Sequence, residues 1–253
     1  MSGHSKWASI KHQKGVADAR RGQLFTKLTR EIMVAVREGG SNPEVNFRLR
    51  LAIQKARDNN MPLDNIERAI KRGSGGLEGA SLTELVLEGY GPNGTAILVK
   101  ALSDNRNRTI QDVRSIFSRH GGSLGENGCV AWLFDSKGLI RVKIDNLDAD
   151  DLALNAIDAG ADDVKVESGY VEVYTKPEEL EMVRAALEQK NIAIASAELF
   201  MVPKTIVQLD EKAAVQALKL LDKLEELDEV QHVSSNADFP DTVLEKYQLQ
   251  VPG

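Results

Sequence analysis

The sequence predicts an α+β multidomain protein: an N-terminal helical domain followed by two ferredoxin-like α/β sandwich domains, the third inserted within the second. Three observations predict it. Apolar residues recur at helical spacing between positions 24 and 72 and turn towards strand spacing after Gly76. Between 139 and 198 the elements read strand, helix, strand, strand, helix, strand, the order of a split βαβ unit. A second set of the same kind lies around the first, with strand, helix and strand before residue 136 and the same again after 200. The predicted domains are 1–76, a basic arm with three helices; 77–136 together with 200–239, the interrupted domain; and 137–199, the nested one. A chain of 253 residues, at roughly 150 per domain, has ample length for this.

The elements follow in order. From Ser2 to Gly22 apolar residues are sparse and glycines stand at 3, 15 and 22, which predicts a partly flexible arm. Leu24, Phe25, Leu28, Ile32, Ala35 and Val36 then form one helical face, stopped at Gly39-Gly40. Asn42 and Pro43 predict the start of a second helix, with Val45, Leu49, Ala52, Ile53 and Ala56 as its apolar stripe. A third begins at Pro62, carries Leu63, Ile66 and Ile70, and ends in the linker Gly73-Ser74-Gly75-Gly76. Strands over 82–88 and 95–102, joined by Gly91-Pro92-Asn93-Gly94, read as a hairpin. A helix over 109–119 has Ile110, Val113, Ile116 and Phe117 inward and Gly121-Gly122 as its stop, and the apolar run 129–134 reads as a strand. The nested unit comprises strand 139–144, helix 150–159, strands 163–167 and 170–175, helix 177–189 and strand 192–198. A strand over 205–209, a helix over 211–227 on Ala214, Leu218, Leu221 and Leu224, and a strand over 229–234 complete the interrupted set.

Composition excludes several classes. Hydrophobic residues make up 42% and charged residues 28%, so the chain is not disordered along its length. The longest uncharged apolar runs, 128–134 and 192–197, fall far short of the ~20 residues that span a bilayer, and the first thirty residues are polar and basic. No membrane segment or secretory signal is therefore expected. The single cysteine, Cys129, allows no internal disulfide. A reducing, cytoplasmic setting is the expectation.

The net charge of −6 conceals an asymmetry. Residues 1–76 carry 15 basic and 7 acidic side chains, whereas residues 77–253 carry 17 basic and 31 acidic ones. In the first thirty residues Lys6, Lys11, Lys14, Arg20, Arg21, Lys27 and Arg30 face a single acid, Asp18. A basic arm on an acidic body points to a local polyanion contact. Trp7, His4 and His12 lie among these cations, so the arm pairs phosphate-neutralising charge with flat rings. Trp7 reads equally well as a staple that packs the arm onto the helices. Asp104-Asn105-Arg106-Asn107-Arg108 precedes helix 109–119, where cations oppose the positive end of the helix dipole. Either Asp104 and other acids neutralise Arg106 and Arg108, or an anionic partner does.

Catalytic and metal signatures do not emerge. Gly73-Ser74-Gly75-Gly76 follows a helix and lacks the Lys-Ser/Thr of a phosphate-binding loop. His4 and His12 are eight apart with no Cys or carboxylate between them to complete a metal site. Asp148, Asp150 and Asp151 open a helix, where carboxylates cap N–H groups, and Asp162-Asp163 sit in a turn. Nothing near Cys129 in sequence lowers its pKa. The expectation is a non-enzymatic protein with no cofactor, no metal and no small-molecule substrate.

The run Gly3-His4-Ser5-Lys6-Trp7-Ala8-Ser9-Ile10-Lys11-His12, followed by Arg20-Arg21-Gly22-Gln23-Leu24-Phe25-Thr26-Lys27-Leu28, closely resembles the start of the YebC/PmpR family. Asn59-Asn60-Met61-Pro62, Glu88-Gly89-Tyr90-Gly91-Pro92, Asp104 to Thr109, His120-Gly121-Gly122 and Val202-Pro203-Lys204-Thr205 resemble further family motifs in family order, so the resemblance spans essentially the whole chain. Gln13 and Gly15 stand where relatives often carry other residues. The resemblance implies a three-domain cytoplasmic protein that binds nucleic acid. Members are described as DNA-binding transcriptional regulators, while others, mitochondrial relatives included, resemble ribosome-associated translation factors that relieve stalling. It thus implies DNA or ribosomal RNA as partner, with ribosomal proteins as a further contact for the acidic body. A protein-interaction scaffold is the reading from another class. The residues expected to meet nucleic acid are His4, Lys6, Trp7, Lys11, His12, Lys14, Arg20, Arg21, Lys27, Arg30, Arg106 and Arg108.

Overall fold

Leu28, Ile32, Ala35 and Val36 place one face of α1 (Asp18–Gly39) in a helical core, and Met33 and Val34 are buried as well. The middle of this helix is enclosed on all sides, as a helix apolar around its circumference must be. In a computed structural model that describes residues 18–75, 82–144, 148–167 and 169–250, α1 begins at Asp18, ahead of Leu24, where the helical spacing starts. Gly22 lies within it. A single glycine costs a helix about 1 kcal/mol, too little to end one whose later turns are buried. Residues 1–17 of the predicted arm lie outside the described residues.

The second helix, α2 (Phe47–Asp58), starts later than Asn42-Pro43 predicts. The Asn42 side chain accepts from the Glu44 N–H at 2.9 Å and closes a turn instead. Asn46 is the cap: its Oδ1 accepts from the Leu49 N–H at 3.0 Å, while its Nδ2 donates to the carbonyls of Ala35 and Gly40, both at 2.7 Å. Val45 consequently stays in the turn, 78% exposed, and does not join the stripe of Leu49, Ala52, Ile53 and Ala56. In α3 (Leu63–Gly73), Ile66 and Ala69 are buried and Leu63 is not. A Cβ added at Gly73 would lie 2.8 Å from the Val36 Cβ, so glycine permits α3 to approach α1 this closely.

The hairpin of β1 (Thr83–Tyr90) and β2 (Ala96–Ser103) pairs from Thr83↔Ser103 to Tyr90↔Ala96. Asn93 at φ 55° and Gly94 at φ 73° supply its left-handed turn. Next, α4 (Arg106–Arg119) is capped by Asn105, whose side chain accepts from the Arg108 N–H at 3.1 Å. The predicted strand over 129–134 is absent. Its place beside β1 is taken by β3 (Ser123–Leu124), and residues 131–133 form a 3₁₀ turn. The reason is Glu88: its buried carboxylate accepts from the N–H groups of Gly128, Val130 and Ala131 at 2.6, 2.8 and 2.7 Å, which removes them from any strand ladder. After residue 203 come β8 (Val207–Gln208), α7 (Glu211–Glu225), β9 (Val230–Ser235), β10 (Ala237–Asp238) and α8 (Asp241–Gln250).

The sheet order is β3-β1-β2-β9, antiparallel throughout. This is the ferredoxin-like order with β1, from ahead of the first strand, in the third strand's place. The strand near 205–209, read from sequence as that third strand, instead pairs in parallel with β10 in a two-stranded ribbon. Phe117, Ile97, Leu220 and Leu221 form the centre of the core between α4, α7 and the sheet.

Residues 1–133 and 203–253 form one compact unit and residues 134–202 another. In the latter, β4 (Phe134–Lys143), α5 (Ala149–Asp158), β5 (Asp163–Glu167), β6 (Tyr170–Thr175), α6 (Leu180–Gln189) and β7 (Ile194–Pro203) give the order β5-β6-β4-β7, a split βαβ sheet. Asp148 caps α5 by accepting from the Asp150 N–H at 2.8 Å. Ile140 and Val142 alternate along β4 with Arg141, whose Nε donates to Glu172 at 2.9 Å; the Tyr174 hydroxyl donates to the other Glu172 oxygen at 2.6 Å.

Candidate nucleic-acid interface

The predicted contact residues divide by what surrounds them. His4, Lys6, Trp7, Lys11, His12 and Lys14 lie outside the described residues. Arg20 falls in the first turn of α1, and Arg21 follows it with an exposed side chain. Arg106 opens α4, exposed and without an ion pair among the described residues.

Lys27, Arg30 and Arg108 are engaged within the chain. The last carbonyls of α7 have no partner inside their helix and sit at the negative end of its dipole. Side chains of α1 supply the donors: Lys27 Nζ reaches the Glu225 carbonyl at 2.5 Å, and Gln23 Nε2 donates to that of Glu226. Glu229, just before β9, then draws two arginines together. Arg30 Nη2 lies 3.6 Å from its carboxylate and Arg108 Nη2 lies 3.3 Å from it, and Arg108 also meets Asp104 at 2.6 Å. The cations ahead of helix 109–119 are thus resolved differently: acids neutralise Arg108, and Arg106 is left to solvent.

The same seam continues along α2. Lys55 Nζ lies 3.3 Å from Glu31 and 3.2 Å from the His232 ring, and Arg48 meets Glu38 at 2.5 Å and Glu84 at 3.2 Å. Lys100 on β2 faces this region, and burial depresses its pKa, against the field of Glu84 and together with that of Arg48. Sequence reasoning missed this use of cations because the acids lie far away in the chain. It also passed over Arg57 and set Lys71 and Arg72 aside as cations that suit a helix C-terminus; all three are exposed on the helical bundle with no ion pair among the described residues.

The described residues include no group of three His, Cys, Asp or Glu side chains placed to hold a metal ion. Burial and the Glu88 charge beside it push the Cys129 thiol up, the opposite of what a nucleophile requires. No described helix is long and apolar enough to cross a membrane.

Residues 5–76 match the TACO1/YebC protein N-terminal domain, and residues 82–237 match the TACO1/YebC second and third domain. The chain belongs to the TACO1/YebC family. A protein of Dehalococcoides mccartyi named a probable transcriptional regulatory protein is 62% identical over 250 residues, covering 99% of this chain and all of that one. One of Desulfosudis oleivorans with the same name is 53% identical over 243 residues, 96% of this chain and 99% of the relative. The crystal structure of a conserved hypothetical protein from Aquifex aeolicus superposes with a TM-score of 0.87 at 49% identity, covering 93% of this chain and 97% of that one.

In this TACO1/YebC chain several motifs behind the resemblance are matters of backbone geometry. Asn60, at φ 55°, turns the chain between α2 and α3. A Cβ on Gly89 would lie 2.6 Å from the Ser123 carbonyl oxygen, and one on Gly122 would lie 2.6 Å from that of Tyr90. These glycines let β1 and β3 pair beneath Phe117.

Proposed function

We propose that this TACO1/YebC protein is a non-enzymatic regulator of gene expression whose basic arm contacts RNA on the ribosome, as a translation factor that relieves stalling in the cytoplasm. The observation that carries the reading is the fate of the cations. Lys27, Arg30 and Arg108 have internal partners, whereas Lys6, Lys11, Lys14, Arg20 and Arg21 give the start of the chain its basic character and Arg57, Lys71 and Arg72 are exposed at the ends of α2 and α3. A basic arm with interleaved rings suits a folded RNA surface. The acidic remainder of the chain repels phosphate and confines contact to the arm, or meets a basic ribosomal protein.

Transcriptional control is the second reading, favoured by the names of the relatives. A duplex-DNA reader normally shows a helix for the major groove. The middle of α1 is buried, and the outer face of α3 mixes Asp64 and Glu67 with Arg68, Lys71 and Arg72, which presents carboxylates to any phosphate backbone.

Competition separates the two. The protein is bound to purified ribosomes and challenged with random-sequence duplex DNA across a salt series. Retention on the ribosome at DNA excess is the expected result. Ready displacement, with a base-pair preference that survives competitor, would return the transcriptional reading to first place.

A further inference from the structure

The motif Glu88 to Pro92 has a consequence beyond turn geometry. Glu88 anchors the loop 125–131 from inside, and two rings stand on the outside of that loop. The Trp132 indole, 65% exposed, donates from Nε1 to the Cys129 carbonyl at 3.1 Å, and the Tyr90 hydroxyl, on a ring 39% exposed, donates to the same oxygen at 3.0 Å. The loop is tightly built. Gly128 adopts φ +87°, and a Cβ on Gly125 would fall 2.5 Å from the Cys129 sulfur. A buried, ionised carboxylate with three N–H donors fixes the carbonyl that fixes both rings. Two large aromatic side chains are therefore held out in water with their polar atoms satisfied and ring surface accessible.

We infer that Trp132 and Tyr90 form a stacking platform for an unpaired nucleobase, a second contact to RNA beside the arm. This inference rests on the nucleic-acid reading above. Each ring uses its hydrogen-bonding atom internally, so what it offers a ligand is a π surface, and a π surface accepts any base without reading its edges. Lys204 stands beside the platform: its N–H donates to the Leu133 carbonyl at 2.8 Å, one residue from Trp132, and its side chain is exposed. Glu126 is exposed on the same loop. Two exposed rings with their polar atoms already satisfied suit a single splayed base, not a run of duplex backbone.

The test uses the full chain carrying Trp7→Phe, which leaves Trp132 as the only indole, titrated with a short single-stranded oligoadenylate. Binding should quench Trp132 emission. Adding Trp132→Ala should weaken affinity about tenfold with the slope of affinity against salt unchanged, because stacking releases no counterions. Adding Lys6→Ala, Lys11→Ala and Lys14→Ala should lower that slope while the quench at saturation persists. Trp132 is exposed, and an unchanged unfolding midpoint for Trp132→Ala separates lost contact from lost fold. Binding with Trp132 emission unaltered and full affinity in Trp132→Ala overturns the platform and leaves the arm reading standing. Quenching by a basic peptide but not by the oligonucleotide overturns it in favour of a protein contact. Absence of any binding at low salt, in the wild type as well as in Trp7→Phe, overturns the platform and the nucleic-acid reading together.

Discussion

Glu88 sets two opposed effects against each other at one carboxylate. Burial raises its pKa, and the N–H groups of Gly128, Val130 and Ala131 outweigh burial and hold the carboxyl below the ordinary glutamate value. A charged acceptor of this kind contributes on the order of 1.5–3 kcal/mol per hydrogen bond that would otherwise be lost. Glu88→Gln keeps the shape but turns an NH₂ group towards backbone donors, so it should lower stability by about 2 kcal/mol in urea unfolding. The pH dependence has a definite sign. Because the folded-state pKa is depressed, the contribution is complete above the ordinary glutamate range and is lost as pH falls through the lower folded value. The wild type should therefore lose more stability on acidification than Glu88→Gln does, and equal loss would show that the carboxylate does not bear this role.

At the scale of elements, the seam between α1 and the segment from the end of α7 to β9 consumes charge that the sequence shows as free. Glu229→Gln should cost about 1–2 kcal/mol in thermal or urea unfolding, because it leaves Arg30 and Arg108 facing a neutral amide. The same change should modestly strengthen non-specific oligonucleotide binding, measured by anisotropy; weaker binding would contradict the view that Glu229 withholds these arginines from solution. The seam also marks the limit of what the sequence made legible. Local signals were read well: the Gly39-Gly40 stop, the Gly91 to Gly94 turn, the strand-helix-strand-strand-helix-strand order of the nested unit and the Asp148 cap all stand in the structure. The errors are non-local. Residues 129–134 carry strand composition, but their N–H groups are claimed by a carboxylate forty positions earlier. Helix α8 went unread although Val243, Leu244 and Tyr247 share one face, because its partner is Asp222, whose two oxygens accept from the Tyr247 hydroxyl at 2.6 Å each. Asn42 and Asn46 are both good caps, and only the reach of Asn46 to Ala35 and Gly40 decides between them.

For the molecule as a whole, the account turns on a division of labour among cations that look alike in sequence. Lys27 and Arg30 of α1 bond to the end of α7 and to Glu229, and the proposed function assigns the cations of the arm to a polyanion. Counterion release makes the distinction measurable, since each phosphate contact adds to the salt dependence of binding and an internal ion pair does not. The direct measurement is co-sedimentation with purified ribosomes across a salt series, comparing wild type, the arm variant Lys6→Ala, Lys11→Ala and Lys14→Ala, and the seam variant Lys27→Ala. The account predicts that the arm variant loses association with a shallower salt slope while keeping its unfolding midpoint. The seam variant should lose stability and, where folded, keep the wild-type slope. Association unchanged in the arm variant, or a salt slope reduced by Lys27→Ala alone, would contradict it.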